Sequence, residues 1–154
     1  MATRSTIALE FADGSVGQVY CHWDGYLEHN GQLLFDHYRD PFKLRELIDL
    51  GDLSSLSPDI GAKHQFENPH PYKSTEWQVW KDAHKNQCTF YGRDRGETGI
   101  EARYFKNFDE YVREHQYEEY EYILRRDGRW YVCHQYDDRG FVPLEPELTA
   151  EAVA

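Results

Sequence analysis

The sequence contains no long apolar run. No stretch approaches the roughly 18 apolar residues that a membrane-spanning helix needs, and residues 1–10 lack the apolar segment of a signal peptide. Both absences predict a protein of the cytoplasm that has no membrane partner. Cysteine is also scarce: Cys21, Cys88 and Cys133 are odd in number and far apart, which favours reduced, inert thiols over a set of disulfides.

Positive charge is in short supply as well. Lysine and arginine number 17 against 28 acidic residues, so the formal net charge is −11. An acidic chain repels phosphate backbones, which argues against general nucleic-acid binding. An acidic surface can still bind a basic protein or imitate DNA, and residues 109–122 hold six acids against one arginine.

Motifs of covalent catalysis, zinc binding and phosphate loops are missing. There is no Gly-x-Ser-x-Gly nucleophile, no Cys-x-x-Cys or His-x-x-x-His spacing and no Lys-Ser/Thr ending of a P-loop. Cys21-His22 and Cys133-His134 repeat a pair of ligand types, but neighbouring strand residues point to opposite faces. The four side chains therefore cannot meet at one tetrahedral ion, and we predict no metal and no cofactor. An enzyme is the less favoured interpretation.

Two pairs of segments have the pattern of β-hairpins. STIALEF and VGQVYCHW flank Asp13-Gly14, a strong hairpin signal. YEEYEYIL and RWYVCHQY flank Arg126-Asp127-Gly128 in the same way. Shorter strands are predicted at residues 88–91 and 100–105, with a Gly- and Arg-rich turn between them at residues 92–99.

In the second hairpin, acidic residues alternate with large apolar ones. Glu119 and Glu121 lie between Tyr120, Tyr122 and Leu124. Because successive strand residues point to opposite faces, the alternation predicts a buried face that carries the tyrosines and the leucine. The two glutamates are expected on a solvated outer face.

Helix signals lie between the two hairpins. LLFDHY has a helical pattern, and Asp40-Pro41 is a typical N-cap and first helical residue. Gly51 is a natural stop for that second helix, and Asn107 can cap a third. Residues 52–87 are expected to be largely irregular, with a short helix near Trp77 and Trp80.

These elements predict an α+β fold with a mainly antiparallel β-sheet built from hairpins. Two or three helices are expected to pack on one face of that sheet. The whole of residues 1–143 is predicted to form a single domain, followed by an acidic, flexible tail at residues 144–154.

The stretch YCHWDGYLEHNG, residues 20–31, is the first candidate site, because it concentrates polar and aromatic side chains where a strand ends. His22 and Asp24 share a face of an extended chain and loosely resemble an acid/base pair or two metal ligands. The alternative is a turn in which Asp24 accepts hydrogen bonds from nearby backbone N–H groups while the aromatic residues cover the sheet edge.

The stretch GRDRGETG, residues 92–99, is the second candidate site. Its glycines let backbone N–H groups approach an anion, and Arg93 and Arg95 could bind phosphate through their planar guanidinium groups. The alternative is a flexible turn in which arginine and aspartate neutralise each other. Arg125, Arg126 and Arg129 either balance nearby acids or add to this anion site, depending on the strand order.

The pattern TRSTIALEFADGSVGQVYCHWDGY, a helix with HY and then KLRELIDLGDLSSL resembles a widespread family of small proteins of tailed phages and prophages. FYGRDRGETGIEARYF and the Tyr/Glu-rich hairpin fit the same family, so the resemblance covers most of the chain. It implies a virus-encoded accessory protein of the host bacterial cytoplasm. Such proteins commonly inhibit host or defence proteins, or capture the nucleotide signals that defence systems make.

Under that resemblance, the favoured function is a non-enzymatic binder that sequesters a nucleotide-derived immune signal. Aromatic faces would stack on a base, arginines would bind phosphate, and carboxylate or amide groups would bind ribose or base edges. The two candidate loops supply this set, and Arg4 lies just before the first strand. The predicted ligand-binding residues are Arg4, His22, Trp23, Asp24, Tyr26, Asn30, Arg93 and Arg95.

Two other functions stay open. The first is an acidic, protein-level inhibitor of a host or defence enzyme, for example a DNA mimic, which the net charge of −11 favours. The second is a nucleotide hydrolase that uses His22 and Asp24. A homo-oligomer also stays open, since a symmetric dimer with sites at its interface would suit a sequestering protein.

Overall fold

The computed structural model describes residues 2–115, 117–135 and 137–153. The strands are β1 Ser5–Glu10, β2 Val16–Cys21, β3 Leu53–Ser55, β4 Thr89–Phe90, β5 Arg103–Phe105, β6 Tyr120–Leu124, β7 Trp130–His134 and β8 Val142–Pro143. The helices are α1 Gln32–His37, α2 Pro41–Asp49, α3 Thr75–His84, α4 Tyr91–Arg95, α5 Phe108–Glu114 and α6 Leu144–Val153, and a π-helical turn spans Leu27–Gly31. The predicted α+β class is confirmed.

The strands form one mainly antiparallel sheet in the order β4-β3-β2-β1-β6-β7-β8, and β5 also pairs with β2. Both predicted hairpins are present, as β1–β2 and β6–β7. Since β1 and β6 are parallel neighbours, both hairpin turns, residues 11–15 and 125–129, lie at the same end of the sheet. We call this the turn end. Residues 22–31 continue from β2 at the opposite end.

The main core lies on one face of the sheet. Asp40 caps α2 as predicted, because its Oδ1 accepts a hydrogen bond from the Phe42 N–H at 2.9 Å and Pro41 follows it. The capped helix then turns its apolar stripe toward the strands. The buried residues include Ile7, Leu9, Val19, Tyr122 and Leu124 of the sheet, Leu34 of α1, and Leu44, Leu47 and Ile48 of α2.

A smaller core lies on the other face, under α5. Asn107 caps this helix as predicted, since its Oδ1 accepts from the Glu110 N–H at 2.8 Å. Tyr111 of α5 packs with Ala8, Val16 and Ile123 of the sheet. The prediction that Glu121 of β6 lies on a solvated face was wrong, because α5 covers this face and Glu121 is fully buried.

Three other segments differ from the predictions. Residues 92–99 are only in part a turn, because α4 begins at Tyr91, where the Asp94 carboxylate accepts from the Phe90 N–H at 2.8 Å. Residues 52–87 contain β3, which was not expected, whereas the helix expected near Trp77 and Trp80 is present as the ten-residue α3. The stretch from residue 144 was expected to be a flexible tail, whereas it forms α6 with Leu144 and Leu148 buried against the core.

Tyr136, within the second predicted hairpin, and Ala154, the last residue of the predicted tail, lie outside the described residues. Among the described residues, none of the helices is both long enough and apolar enough to cross a membrane.

Candidate functional site

The first candidate loop begins as an extension of β2 along β3. The N–H of His22 donates to the Leu53 carbonyl at 3.2 Å, and the N–H of Trp23 donates to the Ser54 carbonyl at 3.0 Å. The imidazole of His22 lies edge-on to the indole of Trp23, with 4.7 Å between ring centroids. Since Trp23 is 45% exposed, the backbone ladder holds a large aromatic ring at the surface.

The turn at Asp24-Gly25 is held against the chain that enters β1. Asp24 has a left-handed φ of 58°. The N–H of Gly25 donates to the Thr3 carbonyl at 2.8 Å, and the buried Tyr122 hydroxyl donates to the Gly25 carbonyl at 2.6 Å. A Cβ on Gly25 would come within 2.7 Å of the Ser5 Cβ. Only glycine therefore fits at position 25, where the two chain segments approach closely.

Asn30 stabilises this loop from inside. It is fully buried, and its Nδ2 lies 3.2 Å from the Ser5 Oγ, 3.3 Å from the Trp23 carbonyl and 3.4 Å from the Cys21 Sγ. Its Oδ1 lies 2.8 Å from the His29 Nδ1. The predicted ligand role of Asn30 is therefore corrected to a structural one, because both ends of its amide are used inside the protein.

His22 and Asp24 engage different partners. The Tyr20 hydroxyl lies 2.7 Å from the His22 Nδ1, and burial raises the pKa of Tyr20 to about 12, so the hydroxyl keeps its proton at neutral pH. The negative charge of Asp24, together with a hydrogen bond to it, raises the pKa of Tyr26. His22 and Asp24 therefore each interact with a tyrosine. This geometry favours two separate polar groups over the paired acid and base that a hydrolase would need.

Arg93 is committed to the fold. Its five N–H donors make five hydrogen bonds of 2.8 to 3.1 Å, to both carboxylate oxygens of Asp94 and to the carbonyls of Ile60, Gly61 and Cys88. Its side chain is only 12% exposed. The prediction that Arg93 binds a ligand phosphate is corrected, because its donors are already used.

Arg95 is in a different position. Its guanidinium lies 4.3 Å from the ring centroid of Phe66 and 5.1 Å from that of Tyr91, and these two rings stack 5.6 Å apart. Its Nε lies 2.5 Å from the Glu97 Oε2, yet the side chain is 48% exposed. An anion could bind Arg95 by replacing the Glu97 carboxylate, because both side chains are exposed.

Strand β3 brings the two candidate loops together. The Ser54 carbonyl accepts from the Trp23 N–H, and the Tyr91 N–H donates to the carbonyl of Asp52, the residue just before β3, at 3.3 Å. Arg4 is exposed and close enough for its positive charge to act on the Tyr20 hydroxyl. We call the combined patch the aromatic surface; it consists of Arg4, Tyr20, His22, Trp23, Tyr91 and Arg95.

Two members of the aromatic surface were not predicted. Tyr20 is two residues before His22 on β2, so strand alternation alone could have placed it beside the histidine. Tyr91 follows β4 directly, but its place beside β3 depends on a pairing across more than thirty residues. The sequence carries no local signal for such a pairing.

The remaining predicted contributions lie elsewhere. Arg125 and Arg126 are at the turn end, whereas β3 pairs with β2 at Cys21, the other end of that strand. They therefore do not add to the site around Arg95. Within the described ranges, no group of three or more His, Cys, Asp or Glu side chains is placed to hold a metal ion.

Comparison with protein-family models, with curated proteins and with solved structures finds no match. The resemblance to the phage family stays a prediction.

Proposed function

We propose that the protein is a non-enzymatic binding protein that sequesters a small nucleotide-type ligand at the aromatic surface. One observation carries the proposal: β3 joins two loops that are distant in sequence, since it bonds to the extension of β2 that carries Trp23 and pairs with β4, which leads into Tyr91. The resulting patch combines one exposed indole and several half-buried aromatic rings with two exposed arginines. These are the groups that stack on a base and pair with a phosphate.

The division of roles follows from exposure and charge. Trp23 would provide the stacking face, with His22 as a neighbouring hydrogen-bonding group. Arg4 and Arg95 would contact the phosphates. In the biological setting implied by the family resemblance, the protein would act in the bacterial cytoplasm as a phage-encoded counter-defence protein that removes a nucleotide signal.

The test is a thermal-shift screen followed by calorimetric titration with cyclic dinucleotides, cyclic oligonucleotides and cyclic ADP-ribose isomers. A ligand that binds only the folded state raises the free energy of unfolding by about 2.7 kcal/mol at a hundredfold excess over its dissociation constant. We expect one compound to bind and to be recovered unaltered. Recovery as a product would instead support a hydrolase.

Substitutions test whether the ligand binds at the aromatic surface. Stacking of one base on an aromatic side chain is worth about 1–3 kcal/mol, so Trp23→Ala should weaken binding by about 5- to 150-fold. Arg95→Ala should weaken it as well. Arg113→Ala, which removes an exposed arginine of α5, is the charge-matched control and should leave affinity unchanged. A screen without any binding ligand would contradict the proposal and favour the acidic inhibitor of a host protein.

A further inference from the structure

We propose that a second binding site, for a small organic oxyanion, lies at the turn end of the sheet. This site is separate from the aromatic surface and does not depend on its function. A cavity of about 390 Å³ opens there, which lies in the size range of small-molecule sites. Its lining combines an apolar floor with three arginines: Leu9, Ala12, Pro41 and Leu124 form the apolar part, and Arg39, Arg125 and Arg126 supply the charge.

The cavity is positive although the chain is acidic. Glu10 is the single carboxylate among its lining residues, against three guanidinium groups. Burial of Glu10 acts to raise its pKa, but hydrogen bonds and charge from Arg125 and Arg126 outweigh this, and the pKa is lowered. Glu10 is therefore ionised at neutral pH, and the lining carries three positive charges against one negative charge.

Glu10 binds one arginine much more closely than the others. Its carboxylate accepts from the Arg125 Nε at 3.1 Å and Nη2 at 3.3 Å, and from the Arg126 backbone N–H at 3.0 Å. The Arg126 guanidinium itself lies farther away, with its Nε 3.7 Å from the Glu10 Oε2. Arg125 is thus held as part of the fold, while the charge of Arg126 is only partly compensated.

Arg39 completes the site from the other wall. Its Nε donates to the Phe35 carbonyl at 2.7 Å, and its guanidinium lies 4.0 Å over the Phe35 ring. These two contacts orient the guanidinium plane without using the Nη groups. Arg39 and Arg126 are both exposed, so their guanidinium groups can reach a ligand that enters the cavity.

The shape of the site indicates the class of ligand. The apolar floor would contact a compact hydrocarbon or aromatic body, and the two exposed arginines would bind one oxyanion through charge-assisted hydrogen bonds. A smaller cavity of about 90 Å³ shares Arg39 and Gly128 and adds both Arg129 and the carboxylate of Glu145. Its charges are therefore mixed, and the oxyanion is assigned to the larger cavity.

The experiment uses phenyl phosphate and benzoate as probes, with benzyl alcohol as their uncharged counterpart, titrated into the full chain by calorimetry. Saturable binding of at least one anionic probe, and much weaker binding of the alcohol, is expected. The two anions distinguish a phosphate site from a carboxylate site. Failure of both anions to bind would overturn the proposal.

Matched variants assign the binding to the cavity. Hydrogen bonds to charged groups contribute about 1.5–3 kcal/mol, so the double variant Arg39→Ala/Arg126→Ala should weaken probe binding by at least about tenfold. Arg113→Ala removes an exposed arginine elsewhere and should leave the affinity for the probes unchanged. Probe affinity that survives the double variant would overturn the site, and loss in Arg95→Ala would place the anion at the aromatic surface instead.

Discussion

Arg93 and Arg95 lie two positions apart in α4 and show how one motif can hold a structural residue and an accessible one. The first is 12% exposed and bridges Asp94 to three backbone carbonyls, whereas the second is 48% exposed and stacks on Phe66 and Tyr91. Asp94 depends on Arg93, because its carboxylate is buried and its pKa is lowered by hydrogen bonds and charge that outweigh the effect of burial.

We therefore predict that Arg93→Ala lowers the free energy of unfolding by about 3–5 kcal/mol, the usual cost of leaving a buried charge without its partner. Arg95→Ala should change it by no more than about 0.5 kcal/mol, as a surface substitution does. Urea denaturation of both variants measures the difference. Equal losses of stability would contradict the structural role assigned to Arg93.

Sequence reasoning located these residues but could not separate their roles. It identified residues 92–99 as an arginine-rich turn, yet the carbonyls that use the donors of Arg93 come from Ile60 and Gly61, some thirty positions earlier. Asn30 is a similar case, because its partners include Ser5 and Cys21. Hydrogen bonds between distant segments leave no periodic pattern in the sequence.

At the scale of elements, local signals predicted the hairpins well. The turns at Asp13-Gly14 and Asp127-Gly128 join strands that are neighbours in sequence, so their pairing follows from alternation and turn chemistry. The parallel pairing of β1 with β6 joins residues more than a hundred positions apart. That contact depends on the assembled core, and the sequence does not show it.

The turn between β2 and the π-helical segment is the element on which the aromatic surface depends. Gly25→Ala should lower the free energy of unfolding by about 1–3 kcal/mol, the usual cost of overpacking, since the new Cβ would lie 2.7 Å from the Ser5 Cβ and 2.8 Å from the Thr3 carbonyl oxygen. Ligand affinity at the aromatic surface should fall too, because Trp23 is two residues away. Thermal unfolding and calorimetric titration measure the two effects.

Gly140→Ala is the control for this prediction. Its φ of +76° makes alanine unfavourable, but no atom lies within 4 Å of the new Cβ. It should therefore cost some stability and leave affinity unchanged. If Gly25→Ala bound the ligand as tightly as the unaltered protein, the turn would not be what positions Trp23.

At the scale of the whole molecule, stability should depend on a polar cluster buried between the sheet and α5. The His115 Nε2 and the Glu121 Oε2 are buried and make no hydrogen bond within the described part of the chain, and the buried hydroxyls of Thr6 and Tyr111 belong to the same cluster. The His115 Nε2 lies 4.0 Å from the Glu121 Oε1. Burial raises the pKa of Glu121 to about 7 and lowers that of His115, so both groups favour their uncharged forms.

These pKa shifts have opposite effects on stability. Glu121 has a raised pKa in the folded state, so its contribution is fully present below about pH 4.5, the ordinary value, and is lost as the pH rises to about 7. His115 has a lowered pKa, so its contribution is present above its ordinary value of 6.5 and is lost as the pH falls. The pH dependence of the unaltered protein alone would therefore mix the two effects.

Comparison with Glu121→Gln isolates the carboxyl group. Glutamine keeps an oxygen that can accept from the Glu118 N–H but cannot ionise. At about 1.4 kcal/mol per pKa unit, a shift from 4.5 to about 7 predicts that the variant gains about 3 kcal/mol relative to the unaltered protein between pH 4 and pH 8. Urea denaturation at closely spaced pH values gives this difference directly. Glu114→Gln, an exposed substitution on α5, is the control, and its difference in the free energy of unfolding from the unaltered protein should not change with pH. If the difference for Glu121→Gln did not change with pH either, Glu121 would ionise freely and the α5 layer would open to water.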